Sequence, residues 1–146
     1  MSKNLITDNG LRILSQSLKL NQSLKYLNLS SNKIKDEGLV DLAEYLKINE
    51  SLFELSLGAN GITNEGVAAI AAFLPYNKTL KLLDISRNAF NDGGFNQFAA
   101  LVGANEGLEF LDIAKNKDVT DEDSLITLVE SLQTNKALKN LDLSGL

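Results

Sequence analysis

Two hydrophobic rhythms alternate along this chain. In LKYLNLSSNKIKDEGL, Leu24 to Leu39, leucines fall at 24, 27 and 29, an asparagine at 32 and an isoleucine at 34. The alternation of Leu27 and Leu29 about Asn28 predicts a short strand with one buried face. The spacing then changes. Leu39, Leu42, Ala43 and Leu46 stand at i, i+3, i+4 and i+7, one stripe of a helix.

The pair of rhythms returns along the whole chain. LFELSLGANGI starts at 52, LKLLDISRNAF at 80, LEFLDIAKNKDV at 108 and LKNLDLSGL at 138. From the start at 24, subtraction gives steps of 28, 28, 28 and 30 residues. The two extra residues lie between Asn116 and Leu125. Helical stripes follow at Val67, Ile70, Ala71 and Leu74; at Phe95, Phe98, Ala99 and Val102; and at Leu125, Leu128, Val129 and Leu132. Leu11, Leu14, Ser15 and Leu18 form a weaker first stripe, and Asn4, Ile6 and Gly10 take the places of Asn32, Ile34 and Gly38. A fixed period of this length marks a repeat array. The reading is one domain over 1–146, with a half repeat 1–23, repeats 24–51, 52–79, 80–107 and 108–137, and a partial repeat 138–146.

Turn chemistry supports these boundaries. Asp36, Asn64 and Asp92 are predicted as helix N-caps, accepting from free backbone N–H groups. Asn21, Asn49, Asn77, Asn105 and Asn135 follow the helices, where a left-handed residue is expected. The single proline, Pro75, falls at a helix end.

With these residues in view, the chain resembles a leucine-rich repeat protein of the ribonuclease-inhibitor-like subclass, as in NOD-like receptors. The resemblance covers essentially all of residues 2–146. It implies an α/β fold: a leucine-rich-repeat solenoid, a right-handed horseshoe arc with parallel strands on its concave face and α-helices on its convex face. In such a fold Asn4, Asn32, Asn60, Asn88 and Asn116 are structural, each amide bonding adjacent turns.

Composition narrows the function. Histidine and cysteine are absent, which removes Ser–His and Cys–His nucleophiles, thiolate chemistry and the usual zinc ligands. No cofactor is expected. NDGGF at 91–95 sits where other repeats read DEG or NEG, so it reads as a helix start rather than a phosphate cradle. KDVTDEDS at 117–124 has contiguous acids and no glycine, unlike a calcium loop, and coincides with the two-residue insertion. A net charge of −5 argues against nucleic acid as partner. The polar start MSKNLITDNG is not a signal peptide, and no apolar run is long enough for a membrane span. The absence of cysteine suits a reducing compartment, and a cytoplasmic location is expected.

What remains is the set of positions that the fold should leave on the concave face. One row reads Tyr26, Glu54, Leu82, Phe110 and Asn140; another reads Lys25, Phe53, Lys81, Glu109 and Lys139. A third reads Asn28, Ser56, Asp84, Asp112 and Asp142, followed three residues later by cations such as Arg87 and Lys115. Two close carboxylates can do acid–base work, but no enclosed pocket or nucleophile is implied here. Large apolar groups within a polar rim are instead the usual anchors of interfaces. The candidate protein-binding residues are Lys25, Tyr26, Asn28, Phe53, Glu54, Leu82, Asp84, Arg87, Phe110, Asp112, Lys115 and Asp142. The aspartates favour a basic protein or peptide partner.

The chain opens inside a repeat and stops on the fifth strand, with no polar cap at either side. Three readings stand: part of a longer array, an edge-to-edge homodimer through the C-terminal strand, or a frayed end. The function expected is a non-enzymatic protein–protein interaction module. The alternative the resemblance allows is a GTPase activator of the Ran type, which uses the same repeats. Only Arg12 and Arg87 are present as arginines, and no motif transfers a role to them.

Overall fold

The computed structural model describes residues 1–116 and 118–146. Helices and three-residue strands alternate as α1 (Asp8–Leu18), β1 (Tyr26–Asn28), α2 (Asp36–Ile48), β2 (Glu54–Ser56), α3 (Asn64–Phe73), β3 (Leu82–Asp84), α4 (Asp92–Val102), β4 (Phe110–Asp112), α5 (Glu122–Thr134) and β5 (Asn140–Asp142). Strands fall where the apolar period is two, helices where it is 3.6. The strands make one parallel sheet in chain order. Tyr26, Glu54, Leu82, Phe110 and Asn140 stand side by side across it.

Each helix packs on the next in the same order. Packed helices need about 8–10 Å between axes, whereas parallel strands need only about 4.8 Å. The helical layer must therefore follow the longer path, and the sheet lines the inside of the arc. The core fills the space between the layers. Leu55, Leu83 and Leu111 enter it from the strands, Leu57, Ile85 and Ile113 from just beyond them, and Leu42, Ile70, Phe98 and Leu128 from the helices. Each such burial contributes about 1.5–3 kcal/mol, and it recurs in every repeat.

Two asparagine ladders tie the repeats together. Asn60 Oδ1 accepts from Asn32 N and Ile34 N at 3.2 and 3.1 Å, while its Nδ2 donates to Leu57 O and Leu29 O at 2.9 and 3.1 Å. Asn88 repeats the pattern one unit on, and Asn116 is fully buried doing so. The second ladder follows the helices and corrects an expectation. Asn49 and Asn135 are extended, at φ −80 and −72, not left-handed. Their value is the side chain. Asn77 Oδ1 closes its own turn on Leu80 N at 2.8 Å, and Nδ2 reaches back to Leu46 O at 2.7 Å. Among the described residues, the left-handed ones other than glycine are Lys3, Ser31, Ala59, Arg87 and Lys115, each immediately before a first-ladder asparagine.

The helix caps are also rearranged. Asp36 does not cap α2, whose N-cap is Lys35. Its Oδ1 accepts from Thr63 N and Gly66 N at 2.8 and 3.0 Å, at the start of the following helix. Asp8 serves α2 through Lys35 N, and Asp92 serves the start of α5 through Thr120 N and Asp121 N. The reason is spacing: side chains at the first helical position point along the row of helices, toward the next N-terminus. Gly38 and Gly94 each allow the backbone of the preceding helix to approach to 2.9 Å of where a Cβ would stand.

The last helical stripe is only partly covered. Leu128 is buried, but Leu125 and Val129 are 42% and 56% exposed, because no further helix lies on the outer side of α5. Of the acidic segment 117–124, Lys117 lies outside the described residues. Asp121 caps α5 through Asp123 N at 3.2 Å.

Candidate functional site

The strand residues that point away from the helices form the concave face in three rows. Parallel pairing sets neighbouring members of each row about 4.8 Å apart, from strand to strand. The first strand position carries Tyr26, Glu54, Leu82, Phe110 and Asn140 in register. Tyr26 is 66% exposed, while Leu82 and Phe110 are half-buried by their neighbours on the face. The alternation in the sequence forces this outcome, since Leu27, Leu55, Leu83 and Leu111 between them are buried.

The third strand position carries Asn28, Ser56, Asp84, Asp112 and Asp142, also in register. Each acid spends one oxygen on the turn that ends its strand. Asp84 Oδ1 accepts from Ser86 N at 2.9 Å and Ser86 Oγ at 2.7 Å, Asp112 Oδ1 from Ala114 N at 3.0 Å, and Asp142 Oδ1 from Ser144 N at 2.9 Å. Asn28 does the same with Ser30 N, so the turn bond needs an oxygen acceptor and not a charge. Three carboxylates in a row follow. Burial pushes the Asp112 carboxyl above its usual range, with Asp84 and Asp142 adding repulsion against the bond from Ala114 N and the attraction of Arg87. Asp142, at the sheet edge, is held below the usual range by the Ser144 N–H. No salt bridge joins Arg87 or Lys115 to these acids among the described residues. Both cations are exposed in the turns beyond, beside a shallow groove that Asn88, Ala89 and Asp118 complete.

The row just before the strands is largely satisfied within itself. Lys25 Nζ lies 5.1 Å from the centroid of the Phe53 ring, a cation–π contact. Glu109 sits between Lys139 at 2.6 Å and Lys81 at 3.6 Å, and the bond from Lys139 holds its carboxyl below the usual range. Lys81, Glu109 and Lys139 belong to the face but escape a search for anchors, because their pairing depends on neighbours 28 and 30 residues away. Phe53, 40% exposed, is partly covered by Lys25. Among the described residues, no group of three or more acidic, histidine or cysteine side chains is placed to hold a metal ion. Among the described residues, no helix is long and apolar enough to cross a membrane.

This geometry is that of a leucine-rich repeat array. A family model described as Leucine Rich repeat matches residues 20–43, 49–71 and 76–95, each match running from before a strand into the next helix. The chain is a leucine-rich repeat protein. Among solved structures, Leiomodin-1 Actin-Binding Site 2 is similar, with a TM-score of 0.82 at 21% identity over 88% of this chain and 76% of that one. The tropomodulin C-terminal domain of Caenorhabditis elegans is similar with a TM-score of 0.75 at 11% identity, over 94% of this chain and 82% of that one. No curated protein sequence matches. At these identities the likeness establishes the fold alone.

Proposed function

We propose that this protein is a non-enzymatic recognition module whose concave face binds a protein partner. The observation that carries the reading is the placement of Tyr26, Leu82 and Phe110 in one row, with Glu54 between the first two, next to the row Asp84, Asp112 and Asp142. The other recurring positions have structural uses: the repeat leucines in the core, two asparagines per repeat in ladders, and the acid or amide opening each of α1 to α4 bonded to the start of the next helix. The apolar and acidic rows have no such use beyond one oxygen per aspartate. Large side chains of this kind anchor interfaces, and the carboxylates favour a basic partner. One of the similar solved structures is described as an actin-binding site, which supports protein binding as the class of function. The 28-residue strand–helix unit supports the ribonuclease-inhibitor-like subclass, and the absence of cysteine supports a cytoplasmic location.

The test is selective loss. A protein captured on the intact chain is expected to be released by Phe110→Ala and by Asp112→Lys, and retained by Val40→Lys on the exposed side of α2. Unchanged affinity in the first two variants would sink the concave-face assignment.

A second contact, between copies, is favoured by Ile126 and Val129, 54% and 56% exposed on α5 beside the unpaired edge of β5. Mass by light scattering that rises with concentration, and falls for Val129→Asp, supports it; a constant monomer mass refutes it. GTPase activation has less support, since Arg12 is held by Asn9 at 2.6 Å. A hydrolysis assay with Ran decides that branch.

A further inference from the structure

We propose that the element received by the concave face is a basic amphipathic α-helix lying across the strands, along the direction in which the repeats stack. This rests on the concave face being the binding surface.

Period is the first argument. The apolar row and the acidic row both advance by one strand spacing, about 4.8 Å, per repeat. Side chains on one stripe of a helix advance by about 5.4 Å per turn. From Tyr26 to Phe110 there are three steps in the register. Three strand spacings make about 14.4 Å and three helical turns about 16.2 Å. The difference of about 2 Å is within the reach of tilted side chains. In an extended chain, same-side residues recur about every 6.7 Å, so three steps make about 20 Å. That misses by more than one whole repeat.

Backbone chemistry is the second argument. The strands of the face already spend their ladder groups on one another, so an extended chain laid across them would leave its own N–H and C=O groups unpaired over apolar side chains. A helix satisfies them internally.

Charge order fixes the face of that helix. Its apolar stripe lies on Leu82 and Phe110 and reaches Tyr26 past Glu54, opposite which the stripe carries a polar or basic residue. The stripe beside it meets Asp84, Asp112 and Asp142, two residues along each strand, where the second oxygen of Asp84 and of Asp112 has no hydrogen bond among the described residues. Lysine or arginine there relieves the mutual repulsion felt at Asp112. Arg87 and Lys115 lie beyond, so the following stripe is neutral or acidic.

The experiment is fluorescence anisotropy of the whole chain with three labelled synthetic peptides of the same length. The first carries leucines at helical spacing with a flanking lysine stripe. The second has the same residues reordered to a period of two. The third has the helical order with its lysines replaced by glutamate. The first is expected to bind at least tenfold more tightly than the others, and to lose tenfold or more on Asp112→Lys and less on the isosteric Asp112→Asn. Equal or tighter binding of the period-two peptide, still weakened by Asp112→Lys, overturns the helix while leaving the concave face standing. Binding that ignores both Asp112→Lys and Phe110→Ala overturns both. No binding of the helical peptide overturns the helix proposal.

Discussion

Asp36 closes a helix that is not its own: its Oδ1 accepts from Gly66 N at 3.0 Å, thirty residues further along the chain. The acid therefore belongs to the joint between two repeats. Capping and inter-repeat packing are one contact, repeated down the convex side.

Replacing Asp36 by alanine is expected to lower stability by about 1 kcal/mol, the ordinary value of a lost cap. Asp36→Asn should be near neutral, since Asn64 in the same place accepts from Asn91 N at 2.9 Å. Urea unfolding with an unchanged slope measures both.

Gly66→Ala is expected to destabilise by about 1–3 kcal/mol, as overpacking does. The added Cβ would stand 2.8 Å from both Ile62 Cγ2 and Leu39 Cδ1. In an open helix the same change gains about 1 kcal/mol. Gly10→Ala, which meets only Ile6 Cγ2 at 3.1 Å, is the control and should be neutral or stabilising. A higher Tm for Gly66→Ala would contradict the close joint.

Asn88→Ala should cost more than Asp36→Ala, at about 3 kcal/mol or above. It strands Ile62 N and Asn60 N, each unsatisfied group costing about 1–3 kcal/mol, and takes one of two donors from Leu57 O, Ile85 O and Ser86 O, which keep Asn60 Nδ2, Asn116 Nδ2 and Ala59 N. Asn88→Asp keeps the acceptor and loses the donor, so an intermediate loss is expected. Thermal unfolding of the two variants side by side checks the order.

Asp112 makes stability depend on pH in a definite direction. Its carboxyl is raised on folding by burial first and by its aspartate neighbours next. A raised acid favours the protonated form in the folded state. Its ionisation therefore opposes folding at neutral pH, and the penalty disappears as pH falls through the folded pKa. Asp112→Asn is expected to raise Tm at pH 7 and to leave it unchanged at about pH 3, below the usual carboxylate range. Equal effects at both pH values would show that the charge is not the cause.

Much of this architecture was legible because each repeat states it again. Leu27, Leu55, Leu83 and Leu111 declare the buried side of the strand, and Leu42, Ile70 and Phe98 the buried side of the helix. Asn60 and Asn88 were readable as ladder residues for the same reason. The direction of the caps was not. Asp36 lies at the start of α2, and nothing local separates a bond to its own helix from one to the next; the hint was Gly38, Gly66 and Gly94, which mark a close neighbour. The left-handed turns were missed because Ala59 and Lys115 carry no sign of that conformation. On the concave face the rows were readable from the register. The pairing of Lys25 with Phe53, and of Glu109 with two lysines, depends on side-chain reach across strands.

We place the binding surface on the concave face. Amide NMR of the labelled chain, titrated with the lysine-striped helical peptide, tests it residue by residue. Shifts should concentrate at Tyr26, Leu82, Phe110 and Asp112 and their strand neighbours, leaving Arg12, Val40 and Glu44 on the helices unmoved. Shifts that gather on the helices while the strands stay still would contradict the account.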